Sequence, residues 1–431
     1  DRVLLSYLLS VYGVYSMHSL LMALALPFTW AKSYENARNI SPESFVGQGK
    51  ILDALRVPQA KNREEEVEGS KEKANETVAP LHLIYGKPGS GLSSVLVRAI
   101  TNVMAEGQLG IYVNLKDANC EEAITRIEKE LKKLDFIPAK RKLEDWEDAA
   151  FALYATLEKK KDIRFCLLAL DNVDAFLLDS NMDGFEAVKE LLELEESLSG
   201  RFHFVMAGKQ EAACYASVNS PEGQIFIPYL RSLPLMPLTT EEAITLLTWP
   251  LSYMGIALPE EEKIKDILTW MTPYPGLIQI LSAKIFSLVP REGNLPYQVT
   301  DDLFEEALQD SGVIPMLKEL LERALLLDVR YFLLALLIRQ LDTGSKAKPA
   351  YTVIILSKLA KEHHLRHLET LKRKEVTALL DEMVLLQLLK KENENSYAFA
   401  YPHYGELLCP PEAVAAKLQE LDGKKEVGET T

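Results

Sequence analysis

The stretch GKPGSGLSS, beginning at Gly86, combines three glycines with a serine pair. Gly86, Gly89 and Gly91 let a backbone turn its N–H groups toward an anion, and Ser93 offers the kind of hydroxyl that meets magnesium. The P-loop pattern G-x-x-x-x-G-K-[ST] is met at Gly86, Gly91 and Ser93 and broken at Leu92, which fills the lysine position. That lysine normally reaches the β- and γ-phosphates and offsets the charge that develops there. An isobutyl side chain has no such capacity. Lys87, Ser90 and Ser94 are the other polar side chains of the loop, and Lys87 is its one cation. A plain strand–turn–helix connection would not need three glycines followed by Ser93, so the pattern favours nucleotide-site ancestry over that reading.

A second stretch, CLLALDNVD, carries the complementary chemistry. An apolar strand ending in Asp171 resembles a Walker B strand, whose acid holds magnesium directly or through water. The next position, where an acid would orient the attacking water, is Asn172. An amide positions water but is no base. Leu92 and Asn172 together remove the charge clamp and the water activator, the pattern of a P-loop fold kept for binding or structure without efficient hydrolysis.

The elements that must position these residues follow from periodicity. Continuous apolar runs at 81–85, 110–115, 165–170 and 202–207 predict strands, and amphipathic stretches at 93–106, 121–134, 146–161 and 185–198 predict helices between them. That alternation implies a parallel sheet sandwiched by helices, with Gly86 and Asp171 at carboxyl ends of strands, where such sheets bind ligands. Residues 59–80 hold almost no large apolar side chain and read as a solvated insertion. After Pro237 the strands stop. Helices are expected at 240–251, 260–270 and 275–288, then over 301–339, with further helices at 352–362 and 374–386. A polar tip at 392–396 followed by alternating Tyr397, Phe399 and Tyr401 signals a hairpin, which completes a winged helix.

The chain has 431 residues and a net charge of −15, which disfavours wholesale coating of nucleic acid. Cys120, Cys166, Cys214 and Cys409 form no C-x-x-C pair, so the spacing supports neither zinc nor a disulfide framework; reduced thiols in an intracellular compartment are the simplest reading. Residues 3–31 contain no Asp, Glu, Lys or Arg and are long enough to span a bilayer, although a buried hairpin would use the same composition. A membrane or an apolar partner surface is the expectation, since a helix on a soluble surface shows a polar face.

Taken in order, several further segments carry a family resemblance. FVGQGKILDAL, including Val46, is similar to the F-V-G-R-x-x-E-L opening of STAND-type and archaeal-type P-loop ATPases of the AAA+ superclass, relatives of the origin-recognition ATPases; Gln48 and Ile51 depart from it. RFHFVMAGKQ resembles the sensor 1 strand, with Lys209 and Gln210 near the sensor place. MTPYPGLIQILSAKIF resembles the lid helix, with Pro275 matching the proline beside the adenine, while Thr272 and Pro273 stand where glycines are usual. LPLMPLTTEEAITLLTWPLSYMGI resembles the segment leading into the lid, and LLDEMVLLQLLKKENENSYAFAYPHYGELL the terminal winged helix. The likeness runs from about Phe45 to Leu408. It implies ATP or ADP with magnesium, held by the loop, by Ser93 and by Asp171, and a switch that opens or closes the lid and winged helix.

These readings give an α/β P-loop NTPase core (41–238) behind an apolar segment (1–40), then a helical lid (239–340), a winged helix (341–410) and a flexible tail (411–431). The expected function is a pseudo-ATPase or nucleotide-binding scaffold working with partner proteins or as a homo-oligomer. The alternatives are a slow ATP-driven switch using Lys87 in place of Leu92, and a DNA-binding regulator. Residues 342–396 hold slightly more Lys and Arg than Asp and Glu, but the expected recognition helix carries Asp381 and Glu382, which favours protein packing over DNA reading. His363, His364 and His367 read as helix-surface residues rather than metal ligands.

Overall fold

A computed structural model describes residues 45–56, 81–178, 183–209, 231–290, 297–341, 351–401 and 403–423. Among these, residues of Gln48–Met236 and Pro315–Thr431 belong to one compact unit, and residues of Asp1–Gly47 and Pro237–Ile314 to a second. The apolar run at 3–31 and the polar insertion at 59–80 lie outside the described residues. No helix among the described residues is long and apolar enough to cross a membrane.

The first unit opens with α1 (Gly49–Ala54) and continues through β1 (Leu81–Gly86), α2 (Leu92–Ala105), β2 (Leu109–Asn114), α3 (Cys120–Lys133), α4 (Trp146–Lys159), β3 (Cys166–Asp171), α5 (Asp174–Leu178), α6 (Asp183–Ser197), β4 (Phe202–Lys209) and β5 (Arg231–Pro234). The five strands form one sheet in the order β2-β3-β4-β1-β5, parallel at every pairing. All six residues of β1 and of β3 are buried, which explains their unbroken apolar runs: with both faces covered, no alternation is required. Leu83, Leu168, Phe204 and Met206 meet Leu131, Leu153 and Leu191 from the helices in one core. The side chains of Asn119 and Asp145 cap α3 and α4 by accepting from Glu122 N–H and Asp148 N–H, each cap contributing about 1 kcal/mol. The fifth strand escapes the sequence reading because RSLP is short, half-buried and carries a proline, as edge strands do.

The second unit contains α7 (Thr240–Tyr253), β6 (Ile256–Ala257), α8 (Glu261–Met271), α9 (Pro275–Leu288), β7 (Tyr297–Gln298) and α10 (Asp301–Asp310). Thr239 and Glu242 form a reciprocal capping box at the start of α7. The expectation that strands stop after Pro237 is corrected by β6 and β7, which pair in parallel; two-residue strands are too short to impose a period.

The chain returns to the first unit through α11 (Val313–Leu325), which begins in the second, and continues with α12 (Val329–Leu341), β8 (Tyr351–Thr352), α13 (Val353–Glu362), α14 (Arg373–Leu385), β9 (Leu389–Asn393), β10 (Ser396–Phe399), α15 (Tyr404–Leu408) and α16 (Val414–Gly423). The three short strands make a sheet in the order β8-β10-β9, with β9 and β10 as the wing. Two expected boundaries change. Residues 321–340, assigned to the lid, share an apolar core with the winged helix, because Tyr331 to Arg339 of α12 are buried without interruption and need cover on all sides. Residues 411–423, assigned to a flexible tail, form a short 3₁₀ turn and α16, whose Val414, Leu418 and Leu421 enter that same core.

Candidate functional site

The glycine loop leaves the carboxyl end of β1 and runs into α2. Gly89 and Gly91 have φ of 83° and 96°, a left-handed conformation that glycine adopts without steric cost. Gly86 is required for a different reason: a Cβ there would lie 2.7 Å from Ser90 Oγ and 3.2 Å from Leu235 Cβ. Ser90 N–H closes the turn on Lys87 O at 3.0 Å. The Ser90 hydroxyl itself is buried with no hydrogen-bond partner among the described residues. The first turn of α2, with Leu92, Ser93 and Ser94, has no capping side chain and no acid, so its positive end is offered to an anion.

Lys87 takes a different course from the one considered in the sequence. It is 1% exposed, and its ammonium donates to the Tyr404 hydroxyl at 2.6 Å and to Gln387 O at 3.3 Å. The same nitrogen lies 4.8 Å from the centre of the Tyr404 ring, within cation–π range. Both partners belong to the winged-helix part of the same unit. The contact is reinforced from the sheet side, where Gln387 Nε2 donates to Leu235 O at 3.3 Å and Leu235 N–H donates to Tyr85 O at 2.7 Å. Burial pulls the Lys87 ammonium down to about 7. His403 stacks edge-on with Tyr404, and burial, with the charge of Lys87 second, pulls its imidazolium down to about 4. The expectation that Lys87 could stand in for the lysine missing at Leu92 is therefore corrected: hydrogen bonding and burial carry its side chain into the winged helix.

Ser93 and Asp171 are brought together at the ends of α2 and β3. Asp171 is 2% exposed; Oδ2 accepts from the Tyr112 hydroxyl at 2.6 Å and Oδ1 from Asn172 N–H at 2.9 Å, and the Ser93 hydroxyl also bonds to the carboxyl. Burial raises the Asp171 carboxyl above the ordinary range despite these three donors. Tyr112 is pushed up as well, by burial first and by the neighbouring Asp171 charge second. Asn172 has φ 58°, a conformation that asparagine tolerates better than most residues, and its amide donates to Asn114 Oδ1 at 3.1 Å. Tyr112, Asn114, Tyr404 and Gln387 were not singled out in the sequence. Each is joined to the site through tertiary contact and carries no motif.

The remaining predicted positions lie elsewhere. Lys209, at the end of β4, is exposed and its N–H donates to Asp174 Oδ1 at 2.7 Å; Gln210 is outside the described residues. Gln48 Nε2 donates to Met236 O at 2.7 Å, and Ile51 is buried. Val46 and Pro275 belong to the second unit. There Pro275 occupies the first turn of α9, and Leu238 N–H donates to Pro273 O at 3.0 Å. Thr272, where the resemblance implies a glycine, is fully buried with φ 58°, so the glycine-type backbone persists around a β-branched side chain.

The winged-helix surface also departs from the sequence reading. The recognition helix α14 starts at Arg373, so Arg373 joins Lys374 in its first turn, and with Lys372 they are exposed. Asp381 accepts from the Tyr397 hydroxyl at 2.7 Å and pairs with Lys391 at 3.0 Å, while Glu382 accepts from the Tyr331 hydroxyl at 2.6 Å. Both carboxylates are committed within the domain.

No family model and no curated protein matches the chain. Solved structures do. A Walker-type ATPase of Pyrococcus abyssi aligns with 15% identity and a TM-score of 0.52, over 82% of this chain and 99% of that one. The ORC2 protein of Aeropyrum pernix, solved as ADPNP–ADP complexes, aligns with 15% identity and a TM-score of 0.52, over 80% of this chain and 88% of that one. At such identities the likeness is one of fold, and it is the α/β fold of P-loop NTPases.

Proposed function

We propose that the chain is a nucleotide-binding AAA+-type scaffold or regulatory subunit that hydrolyses ATP weakly or not at all and works with partner proteins or copies of itself. One observation carries this reading: Lys87 is bonded into the winged helix while Leu92 fills the lysine position of the loop. The phosphate cradle fits its ligand in other respects. The two left-handed glycines, the uncapped start of α2 and the orphaned Ser90 hydroxyl suit a di- or triphosphate, and the paired Ser93 and Asp171 suit magnesium. ADP or ATP with magnesium supplies the charge that would set the state of the loop; Gly86, Gly89, Ser90, Gly91 and Ser93 hold and orient it. Asn172 supplies no base for a water. This favours the scaffold over the STAND-type switch.

The test is turnover and binding measured together on purified protein. ATP hydrolysis no faster than in Ser93→Arg, with a fluorescent ADP analogue bound by the parent chain and not by Ser93→Arg, is the expected pair of results. Magnesium-dependent turnover abolished by Lys87→Ala would overturn the proposal in favour of the slow switch.

A second reading has its own observation. Recognition helices touch DNA with their N-terminal residues, and Lys372, Arg373 and Lys374 stand exposed there while Asp381 and Glu382 are internally paired. Contact with the phosphate backbone follows from that charge. Anisotropy titrations with mixed duplexes at low and moderate salt separate the readings: binding lost in Lys372→Ala/Arg373→Ala/Lys374→Ala supports DNA contact, and no binding at low salt removes it.

A further inference from the structure

Strand β1 carries a second cluster, four residues before Gly86. His82 is the second residue of β1, His203 the second residue of the adjacent β4, and Glu195 lies in the last turn of α6. His82 Nε2 is 3.1 Å from Glu195 Oε2, and His203 Nδ1 is 3.0 Å from Glu195 Oε1. The other nitrogen of His203, Nε2, is 3.0 Å from Leu81 O. Both histidines are buried, and one ligand atom from each of the three residues falls within 4.8 Å of the others.

Hydrogen-bond accounting shows what the cluster lacks. A carboxylate and a carbonyl are acceptors only, and a neutral imidazole has one N–H. His203 faces an acceptor with each nitrogen, so it satisfies both only when a further cation sits in the cluster, either a proton or a metal ion. His82 faces Glu195 with Nε2, the nitrogen free to take an ion when its proton sits on Nδ1, which has no partner among the described residues.

We infer that His82, Glu195 and His203 bind one divalent transition-metal ion, with zinc the best match. Two imidazoles and a carboxylate are zinc ligands, whereas magnesium and calcium prefer all-oxygen sets. Ligands about 2.0–2.1 Å from zinc stand roughly 3.3 Å apart in a tetrahedron; the 3.0 and 3.1 Å contacts to the two Glu195 oxygens lie near that spacing, and the remaining separations, within 4.8 Å, close around the ion by side-chain rotation. His203 already makes the supporting contact of a metal-bound histidine: Nε2–H donates to the Leu81 carbonyl while Nδ1 faces the ion. Glu195, whose side chain is 16% exposed, marks the side open to solvent, where water completes the fourth position. The ion would pin the end of α6 to the first residues of β1 and β4. No spacing rule reveals such a site, since Glu195 lies 113 residues from His82.

The full chain is equilibrated with zinc, dialysed against metal-free buffer and assayed for zinc per chain by mass spectrometry; melting is followed with zinc and with a chelator. One zinc per chain, a higher melting temperature with zinc, and a loss of about tenfold or more in affinity in His82→Gln and His203→Gln are expected. Cobalt substitution should give ligand-field bands of a four-coordinate site without thiolate charge transfer. A wild-type chain that keeps no zinc and melts identically with zinc and chelator overturns the site. So does zinc retained in the double variant, or a cobalt spectrum with thiolate bands. The wild-type measurements decide even where a variant does not fold.

Discussion

The Lys87 ammonium and the Tyr404 hydroxyl meet at 2.6 Å, joining a glycine-loop residue to one 317 positions later. Because burial lowers Lys87 to about 7, the unfolded chain binds the extra proton between about pH 7 and pH 10.5, and folding stability attributable to this residue rises with pH across that window. Below pH 7 the full penalty of burying the charge applies. Lys87→Met should therefore stabilise the protein at pH 7 by about 1–3 kcal/mol and lose that advantage near about pH 10. Denaturant unfolding at the two pH values checks it, and an equal or destabilising effect at pH 7 would contradict it.

His403 works in the acid range. Its folded-state value is depressed to about 4 from an ordinary 6.5, so its contribution is fully present above pH 6.5 and is lost as pH falls through 4. His403→Gln is expected to flatten the decline in melting temperature between pH 6.5 and 4, by the equivalent of about 2–3 kcal/mol at the acid end. An unchanged slope in the variant would assign the acid sensitivity to other groups.

Tyr112→Phe removes one donor from the buried Asp171 carboxyl. A loss of about 1–2 kcal/mol of stability is expected without magnesium. Because the Tyr112 hydroxyl occupies Oδ2 of the carboxyl proposed to meet magnesium, the same variant should strengthen the magnesium dependence of nucleotide binding. Denaturant unfolding without magnesium reads the first effect, and calorimetric titration of ADP with and without magnesium reads the second.

Ser90 separates folding from binding. Its hydroxyl is buried and unpartnered, so Ser90→Ala should be neutral or stabilising by about 1 kcal/mol in the nucleotide-free protein. If that hydroxyl serves a phosphate, the variant binds ADP about five- to tenfold more weakly despite its stability. Equal affinity in parent and variant would mean that the hydroxyl faces no ligand.

Much of the core was legible because parallel strands covered on both faces announce themselves as apolar runs; β1 and β3 are buried throughout and stand where those runs stand. The conjunction of Gly86, Ser93 and Asp171 was legible for the same reason: a strand, a glycine turn and a second strand place them at one edge. What escaped was decided by tertiary contact. RSLP of β5 has neither length nor period, and Val414, Leu418 and Leu421 become a helix face only because α12 needs cover. Lys87 sits inside a phosphate motif, and nothing local says that its partners are Gln387 and Tyr404. His82, Glu195 and His203 meet only because the sheet sets β1 beside β4.

Synthesis order gives the Lys87–Tyr404 contact one more consequence. The glycine loop emerges from the ribosome long before Tyr404; at about 5–20 residues per second the interval of 317 residues is on the order of 15–60 s. The sheet can assemble once β5 has emerged, but until Tyr404 follows, the lysine has no pocket to enter and stays in water as an ordinary cation. A nascent chain thus presents a glycine loop with a solvated lysine, and the finished protein presents one whose lysine is withdrawn. Emergence and folding of the segment that carries Tyr404 is the event that changes the loop's charge.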